Sequence, residues 1–234
     1  MQKMEEYLRN STYYSLLGEH PLTINFFTIS RRKIKWLQDF LSGKVNLHIH
    51  TNYSDGKADF KKVLDNAKKN GYKLISITDH NTVEGHKHYQ DEILVTGVEF
   101  DCWFGYVFIH LLAYNIDVNH PSLCPFLAKT KAETEGDLIR LFARRNVPEL
   151  IKAIHEAGGI AVLAHPACYW AISLERLVKK LMKHGLDGIE VFYPYPRFRK
   201  IVKFHSAKDV RKIADKYPQL LKTGGTDFHG DVFN

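Results

Sequence analysis

Histidines and carboxylates recur in this chain at the ends of short apolar segments, each of which has the length and composition of a β-strand. Almost every one of these segments is followed by a helical pattern of apolar residues. Histidines scattered through a core would not follow strand after strand, whereas a barrel that collects polar side chains at one mouth would produce this order. The residues concerned are, in chain order, His48-Ile-His50 with Asp55, Asp79-His80, Glu99, His110, His165 and Asp227-Phe-His229.

Seven strands are predicted, and helices separate most of them. This alternation predicts an α/β protein built from parallel βα units. The sequence does not give the order of the strands, but polar residues at so many strand ends favour a closed barrel. Between the fourth and fifth strands we expect a polar linker with one helix over residues 135–144. The predicted strands cover residues 45–49, 74–78, 93–98, 107–113, 160–164, 188–192 and 220–223.

The composition fits one sizeable globular domain, because 44% of the 234 residues are hydrophobic and 25% are charged. Residues 1–43 are predicted to be a helical N-terminal extension, and residues 44–234 to form the domain. The formal net charge of +7 fits an anionic partner and fits a solvated lysine-rich surface equally well.

Several classes of protein are not expected from the composition. The three cysteines form no CxxC pair, which favours a reducing compartment over a disulfide framework. No apolar run has the length of a membrane-spanning helix, and the first residues lack the apolar core of a signal peptide. We therefore expect a cytoplasmic protein that does not associate with membranes, and the sequence identifies no protein partner.

The pair His48-Ile-His50 is a metal-binding pattern when it lies on a strand. Side chains alternate with a period of two along a strand, so both imidazoles project from the same face and can bind one ion. The sequence continues to Asp55-Gly56, which adds a carboxylate and a turn near the same barrel mouth. An isolated H-x-H pair is weak evidence, and the hypothesis of a metal site depends on the later motifs.

Taken together, the motifs resemble those of the polymerase and histidinol phosphatase (PHP) family of metal-dependent phosphoesterases. The resemblance runs from about Val45 to Gly230. The segments HTNYSDG and TDHNTVEG look most like the branch that contains small phosphatases and RNA 5′-end nucleases. Members of that branch remove the 3′-phosphate from nucleoside 3′,5′-bisphosphates or trim RNA from its 5′ end. The resemblance implies a distorted (β/α)7 barrel, similar to a TIM barrel.

The resemblance also implies a site for two or three divalent transition-metal ions. Mixed imidazole and carboxylate ligands suit Mn, Fe or Zn, and argue against Ca or Mg, which prefer oxygen ligands. The implied ligands are His48, His50, Glu99 and Asp227 for one ion, Glu99, His110 and His165 for a second, and Asp55, His80 and His229 for a third.

The implied reaction is the hydrolysis of phosphate monoesters of nucleotides or of nucleic-acid ends by a hydroxide that bridges two ions. His48, His50, Glu99 and Asp227 would be the catalytic group around that hydroxide. The partner is then a small phosphate ester or a short nucleic-acid end. The alternatives that remain open are a histidinol-phosphate phosphatase, a 3′–5′ exonuclease and a metal-binding module without turnover.

Other polar residues are assigned roles around this site. Asp79 is expected to orient a ligand or the fold, and Glu190, at the end of the sixth strand, either orients a ligand or is an ordinary carboxylate at the barrel mouth. The family pattern has an arginine soon after the His-Pro of the fifth strand, where this chain has Cys168. Phosphate anchoring would then fall to the ions or to a basic cluster, and the short segment after the fourth strand would leave the mouth open. The candidate substrate-binding residues of that cluster are Arg197, Arg199 and His205.

Overall fold

The computed structural model describes residues 44–194 and 205–233. In these ranges seven strands form one sheet in sequential order, from β1 to β7. The predicted helical extension over residues 1–43 lies outside the described residues. The strands are β1 (Val45–Asn46), β2 (Leu74–Ile77), β3 (Leu94–Phe104), β4 (Val107–Tyr114), β5 (Ile160–Leu163), β6 (Gly188–Phe192) and β7 (Leu221–Gly224).

The sheet curves round until its first and last strands meet. The Leu47 amide donates to the Gly224 carbonyl at 3.1 Å, and the His50 amide donates to the Phe228 carbonyl at 2.8 Å. Ile49 and Phe228 form a parallel bridge at the same junction. The expected distorted βα barrel is therefore confirmed.

The first strand is shorter than predicted, because Asn46 redirects its hydrogen bonds. The side-chain oxygen of Asn46 accepts from the backbone amides of His48 at 3.2 Å and Thr226 at 3.1 Å. The regular strand ends at Asn46, and the chain beyond it pairs irregularly with the segment that follows β7. This irregular stretch carries His48 and His50 into the barrel mouth.

The prediction of an all-parallel sheet is wrong at one strand. β4 pairs antiparallel with both β3 and β5, while the other neighbouring pairs are parallel. The reason is the connection of two residues, Gly105-Tyr106, between β3 and β4. A parallel crossover needs a dozen or more residues, whereas a two-residue turn can only reverse the chain.

The third strand is also longer than the sequence indicated. It runs to Phe104 instead of ending near residue 98, so Glu99 lies inside β3 and not beyond its end. The extra residues pair with residues 107–112 of β4, and Asp101 stands opposite His110. The long β3–β4 hairpin therefore extends past the other strands at the barrel mouth.

Helices cover the outside of the barrel with their apolar faces inward. In α1, for example, Phe60, Val63 and Leu64 are buried, and the Asp59 side chain caps the helix by accepting from the Lys62 amide. None of the helices in the described ranges is long and apolar enough to cross a membrane. The helices are α1 (Phe60–Lys69), α2 (Glu84–His88), α3 (Ala132–Glu135), α4 (Asp137–Arg140), α5 (Val147–Glu156), α6 (Leu174–Met182) and α7 (Ala207–Lys216), with 3₁₀ turns at Pro121–Phe126 and Pro166–Cys168.

The linker between β4 and β5 differs from the single helix predicted over residues 135–144. Two one-turn helices, α3 and α4, replace it, because Gly136 between them adopts an extended backbone with φ −88° and ψ 103°. Glycine favours such a break because it loses more conformational freedom in a helix than other residues do. The break turns α4 so that Arg140 is buried.

The turn after β7 packs directly against the chain that carries His48. A Cβ atom added at Gly225 would lie 2.2 Å from the His48 Cβ and 2.4 Å from the His48 backbone nitrogen. Both neighbours are close to rigid backbone, so a side chain at this position has to displace them. Only glycine therefore permits the close approach that fixes His48 at the barrel mouth.

We expect Gly225→Ala to displace His48 and to reduce the metal content of the protein. Overpacking should also destabilise the fold by about 1–3 kcal/mol. Gly71→Ala is the control, since Gly71 has φ +73° with open space around it and its substitution adds only backbone strain of about 1–2 kcal/mol. Urea unfolding and elemental analysis after reloading with Mn measure the two effects. Full metal retention in Gly225→Ala would show that the close approach does not position His48.

A surface ion pair joins α5 to the loop before β6. His155 Nε2 lies 2.8 Å from Asp187 Oδ2. The hydrogen bond to Asp187 raises the pKa of His155, against a smaller opposing effect of burial. Because the pKa is higher in the folded state, the pair stabilises the fold fully below the unfolded pKa of about 6.5. This contribution is lost as the pH rises through the folded pKa.

His155→Gln should therefore lower the free energy of unfolding at pH 6 by about 0.5 kcal/mol or less, and by a smaller amount at pH 9.5. Urea unfolding of both proteins at the two pH values gives this difference. His184→Gln, which removes another exposed imidazole, serves as the control. An equal loss at both pH values would contradict a charged His155–Asp187 pair.

Candidate metal centre

Five imidazoles converge on the carboxylate of Glu99, which is fully buried inside β3. Each oxygen of this carboxylate faces its own group of histidines. Glu99 Oε2 lies 3.0 Å from His48 Nε2, 3.1 Å from His50 Nε2 and 3.5 Å from His80 Nε2, and Glu99 Oε1 lies 3.0 Å from His110 Nδ1 and 3.1 Å from His165 Nε2.

Three overlapping groups of side chains are arranged to hold metal ions. Within each group, one ligand atom from every residue lies within 4.8 Å of the others. Eight of the nine residues that the sequence suggested as ligands belong to these groups, and the ninth, His165, contacts Glu99. The groups are His48, His50, Glu99 and Asp227; His80, Glu99 and His110; and His50, Asp55, His80 and His229.

The grouping differs in detail from the ligand sets that the family resemblance implied. His80 belongs to two of the groups, since it lies between Glu99 and Asp55. His165 is outside the three groups, although its Nε2 is 3.1 Å from Glu99 Oε1. The Nδ1 atom of His50 is buried without a hydrogen-bond partner. Buried polar atoms are rarely left in this way in a finished core, so this nitrogen fits a metal site.

The carboxylates of the cluster are held in their ionised form. Burial raises the pKa of Glu99, but the charges of His48, His80 and other imidazoles outweigh burial and keep the pKa well below its usual value. Burial likewise raises the pKa of Asp227, and His48 and His50 lower it further than burial raises it. Anionic oxygen ligands are therefore available over the whole physiological pH range.

The pKa values of His50 and His165 are raised, whereas burial lowers the pKa of His80. Burial alone lowers the pKa of His50, but hydrogen bonds to Asp227 and Glu99 raise it to about 9. For His165, burial also lowers the pKa, while hydrogen bonds to Cys168 and Glu99 raise it to about 10. A buried cluster of carboxylates thus attracts positive charge strongly, and a metal cation can replace these protons.

Asp101 belongs to the cluster and was missed in the sequence analysis. Its Oδ1 atom lies 3.2 Å from His80 Nδ1 and 3.2 Å from His110 Nε2. Burial raises its pKa, but the two imidazoles outweigh burial and bring the pKa to about 2. A signal was present in the sequence, because Glu99 and Asp101 are two residues apart and share one face of a strand. The predicted strand ended too early to show it.

Two further carboxylates hold the ligands in place. Glu190 is fully buried, and its Oε1 lies 3.1 Å from His48 Nδ1, while its Oε2 accepts from the His165 backbone amide at 2.8 Å. Asp79 accepts from the Thr51 amide and hydroxyl, both at 2.6 Å, and from the Ser54 hydroxyl at 2.7 Å. Glu190 thus orients the ring of His48, a candidate ligand, and Asp79 fixes the loop between His50 and Asp55. Carboxylates next to metal sites commonly orient the ligands in this way.

Among the described residues, the basic side chain that lies at the site is not one of those expected from the sequence. Arg197 and Arg199 lie outside the described residues. His205 Nε2 lies 2.6 Å from the Ala171 carbonyl, and the ring is engaged with the backbone there. Arg140 lines the cavity instead, with Nη1 2.8 Å from Asp55 Oδ2. No sequence signal marked it, since its position depends on the break between α3 and α4.

The cluster lies at the base of an open cavity of about 1150 Å³. Tyr193 stands in its wall and donates a hydrogen bond from its hydroxyl to Asp227 Oδ2 at 2.8 Å. The linker contributes Glu135, Asp137 and Arg140 to the same wall. The short segment after β4 therefore covers one side of the mouth, although the family resemblance suggested that it would leave the mouth open.

Three residues at the site have backbone conformations that non-glycine residues rarely adopt. The φ angles are +56° for Asn81, +22° for His165 and +51° for Asp227. Such conformations cost of order 1–3 kcal/mol each and persist where the surrounding structure enforces them. Each of these residues is a candidate ligand or follows one directly. The unfavourable backbone conformations therefore lower local stability but position the side chains of the candidate ligands.

The relatives of this chain among known proteins include enzymes that hydrolyse phosphoric esters. The chain is 26% identical to the 5′-3′ exoribonuclease Rnm of Escherichia coli, over 62% of this chain and 74% of that protein. It is 27% identical to the 3′,5′-nucleoside bisphosphate phosphatase of Chromobacterium violaceum, over 77% of this chain and 56% of that protein. Both relatives are named as enzymes that cleave phosphoric ester bonds, and this chain is a hydrolase of that class.

The fold also has solved counterparts. An amidohydrolase structure from Chromobacterium violaceum superposes with a TM-score of 0.66 at 20% identity, covering 82% of this chain and 90% of that one. The family model described as the PHP domain matches residues 46–225. This range contains seven of the nine candidate ligands, and the other two, Asp227 and His229, follow directly after it. The chain belongs to the PHP domain family.

Proposed function

We propose that this protein hydrolyses phosphate monoesters of nucleotides, or phosphate esters at nucleic-acid ends, with two or three divalent transition-metal ions. The observation that carries the proposal is the division of Glu99 between two sets of imidazoles. One carboxylate oxygen faces His48 and His50, and the other faces His110 and His165. A carboxylate placed in this way is suited to bridge two ions.

The proposed ligand assignment keeps the three ligand sets that the family resemblance implied, and the contacts between their side chains support it. Asp227 Oδ1 lies 3.3 Å from His48 Nε2 and 3.1 Å from His50 Nε2, so these residues and Glu99 would hold the first ion. His110 and His165 would hold a second ion with the other oxygen of Glu99. Asp55, His80 and His229 would hold a third, because Asp55 Oδ1 lies 3.1 Å from His229 Nε2 and Asp55 Oδ2 lies 3.7 Å from His80 Nε2.

The donor set suits Mn, Fe or Zn, because imidazole and carboxylate are mixed throughout. Ions bound there would acidify water enough to supply hydroxide near neutral pH. The protein's own contribution is to hold the ligands rigidly and to present positive charge to the phosphate. Arg140 is suited to the second task, since it is the one arginine or lysine among the described residues that line the cavity.

The substrate class rests on the relatives and on charge. Both named relatives act, by their names, on RNA or on nucleoside bisphosphates, and the net charge of +7 favours an anionic substrate. We also propose that residues 1–43 form an N-terminal extension to a phosphoesterase domain over residues 44–234. The family match over residues 46–225 supports this boundary.

The first test combines metal content with substrate preference. Protein reloaded with Mn should contain two or three ions per chain by elemental analysis. It should hydrolyse nucleotides or short 5′-phosphorylated RNA with a higher kcat/KM than sugar phosphates or histidinol phosphate. Less than one ion per chain would overturn the metal site. Faster turnover of histidinol phosphate would favour that phosphatase, release of nucleotides from the 3′ end would favour a 3′–5′ exonuclease, and bound metal without turnover would favour a binding module.

A second test separates the proposed roles of the ions. His50 is fully buried between Glu99 and Asp227, whereas His229 is partly exposed and contacts Asp55. His50→Ala should abolish turnover of every substrate. His229→Ala should lower kcat on a nucleotide by about 100-fold, or about 3 kcal/mol, because one contact to the developing charge is lost. An activated ester with a good leaving group should lose less, since its bond breaks with less charge to neutralise.

His88→Ala, at an exposed histidine on α2, is the control for this comparison, and far-UV circular dichroism reports on folding. The ratio of the two rates in each variant is the decisive quantity. If His229→Ala lowers both substrates by the same factor, His229 belongs with the hydroxide-forming group or with the fold.

A further inference from the structure

Besides Tyr169 and Tyr193, which hydrogen-bond to His110 and Asp227, four aromatic side chains of the described residues line the cavity beside the candidate metal centre. Trp103, Tyr106 and Phe108 come from the β3–β4 hairpin, and Trp170 comes from the loop after β5. We call these four residues the aromatic wall. Trp170 is 69% exposed, Tyr106 is 64% exposed and Trp103 is 38% exposed. Large apolar side chains gathered at such exposure around one cavity mark a binding surface.

The aromatic wall is continuous with the candidate ligands. Trp103 and Phe108 are cross-strand partners with ring centroids 5.3 Å apart. The Phe108 ring in turn lies 5.2 Å from the His110 ring, edge to face, and His110 contacts Glu99. A ligand that places its phosphate at the candidate metal centre around Glu99 would therefore lie close to the aromatic wall.

The polar atoms of two wall residues are already engaged with backbone. The indole nitrogen of Trp103 donates to the Leu141 carbonyl at 2.8 Å, and the Tyr106 hydroxyl accepts from the Ile172 amide at 3.3 Å. These bonds tie the hairpin to the linker on one side and to the loop carrying Trp170 on the other. These hydrogen bonds fix the rings of Trp103 and Tyr106 in place. Their polar atoms are already used, so the ring faces are the surfaces that can contact a ligand.

The shape and chemistry of the cavity favour a nucleobase as the occupant. A volume of about 1150 Å³ far exceeds that of a phosphate group alone and falls at the upper end of typical ligand sites. Nucleobases stack on aromatic side chains with little dependence on sequence, because every base has a π face. A protein partner would be expected on a flatter surface, whereas this wall descends into a concave site that ends at the metal centre.

We propose that the aromatic wall is a base-stacking subsite, which holds a nucleobase of the substrate while its phosphate lies at the Glu99 centre. The proposal rests on the proposed function and adds that the preferred substrates carry a nucleobase. Sugar phosphates and histidinol phosphate lack one. Trp170 is the principal stacking residue, because it exposes the largest fraction of its surface among the four. The same chemistry would serve a mononucleotide or the end of a polynucleotide.

The test compares substrates with and without a base. Mn-loaded wild type, Trp170→Ala and Trp170→Phe are assayed on a 5′-phosphorylated adenine tetranucleotide, on the same tetranucleotide with an abasic first position, and on adenosine 3′,5′-bisphosphate. Ile172→Ala is the matched control, because Ile172 is 82% exposed in the same loop and its hydrogen bond to Tyr106 uses the backbone. Fluorescence anisotropy with the labelled tetranucleotides gives Kd independently of turnover.

Trp170→Ala should raise KM and Kd about tenfold for the substrates with a base, and less than about twofold for the abasic tetranucleotide. Trp170→Phe should retain most of the affinity, and Ile172→Ala should match wild type. A loss on the adenine tetranucleotide alone would identify a polynucleotide end as the source of the base, and a loss on the bisphosphate as well would show that a mononucleotide suffices.

Equal losses with and without the base, or no loss at all, would overturn the subsite. Failure of the proposed function looks different. In that case wild type would bind the adenine tetranucleotide without hydrolysing any ester, and the Kd values of the variants would still decide whether Trp170 stacks on a base. Absence of binding by wild type would overturn the subsite directly.

Discussion

The barrel mouth is organised around one buried negative charge, the carboxylate of Glu99. An ionised carboxylate in a protein interior costs several kcal/mol unless charge and hydrogen bonds compensate for it. Five imidazoles surround this one, but burial opposes the charged form of His48, His50, His80 and His165 by lowering the pKa of each. Bound metal cations would compensate the charge of Glu99 with the imidazoles as neutral ligands, which fits the convergence of so many ligand-type side chains on one site.

One local reversal of the chain accounts for much of what makes this mouth distinctive. The two-residue turn at Gly105-Tyr106 forces β4 to run antiparallel to its neighbours. The reversal places His110 opposite Asp101 on β3 and directs both towards His80 or Glu99. It also extends the hairpin beyond the barrel, where Trp103 and Phe108 pair. The same element therefore supplies ligands at its base and an aromatic surface at its tip.

Parts of the site come from segments that regular secondary structure does not explain. Arg140 reaches Asp55 from a one-turn helix in the linker, and Tyr193 reaches Asp227 from beyond the end of β6. Each touches a carboxylate that is a candidate ligand, and each lines the cavity. A positive charge and a hydrogen-bond donor thus reach the candidate metal centre from the walls of the cavity.

The sequence by itself determined the alternation of strands and helices and the polar motifs along them, because both are encoded locally, and its resemblance to the PHP family implied the barrel and the nine candidate ligands. Strand and helix periodicity shows the order of the elements, and a motif such as His48-Ile-His50 places its side chains on one face wherever the strand lies. Tertiary structure alone decided the direction of β4, the length of β3 and the positions of Asp101, Arg140 and Tyr193. These features depend on pairing between distant segments and on the Gly105-Tyr106 turn, which sets the direction of β4 against both of its neighbours. Local patterns do not show that Arg140 meets Asp55 or that Tyr193 meets Asp227, since these contacts form only when the barrel closes.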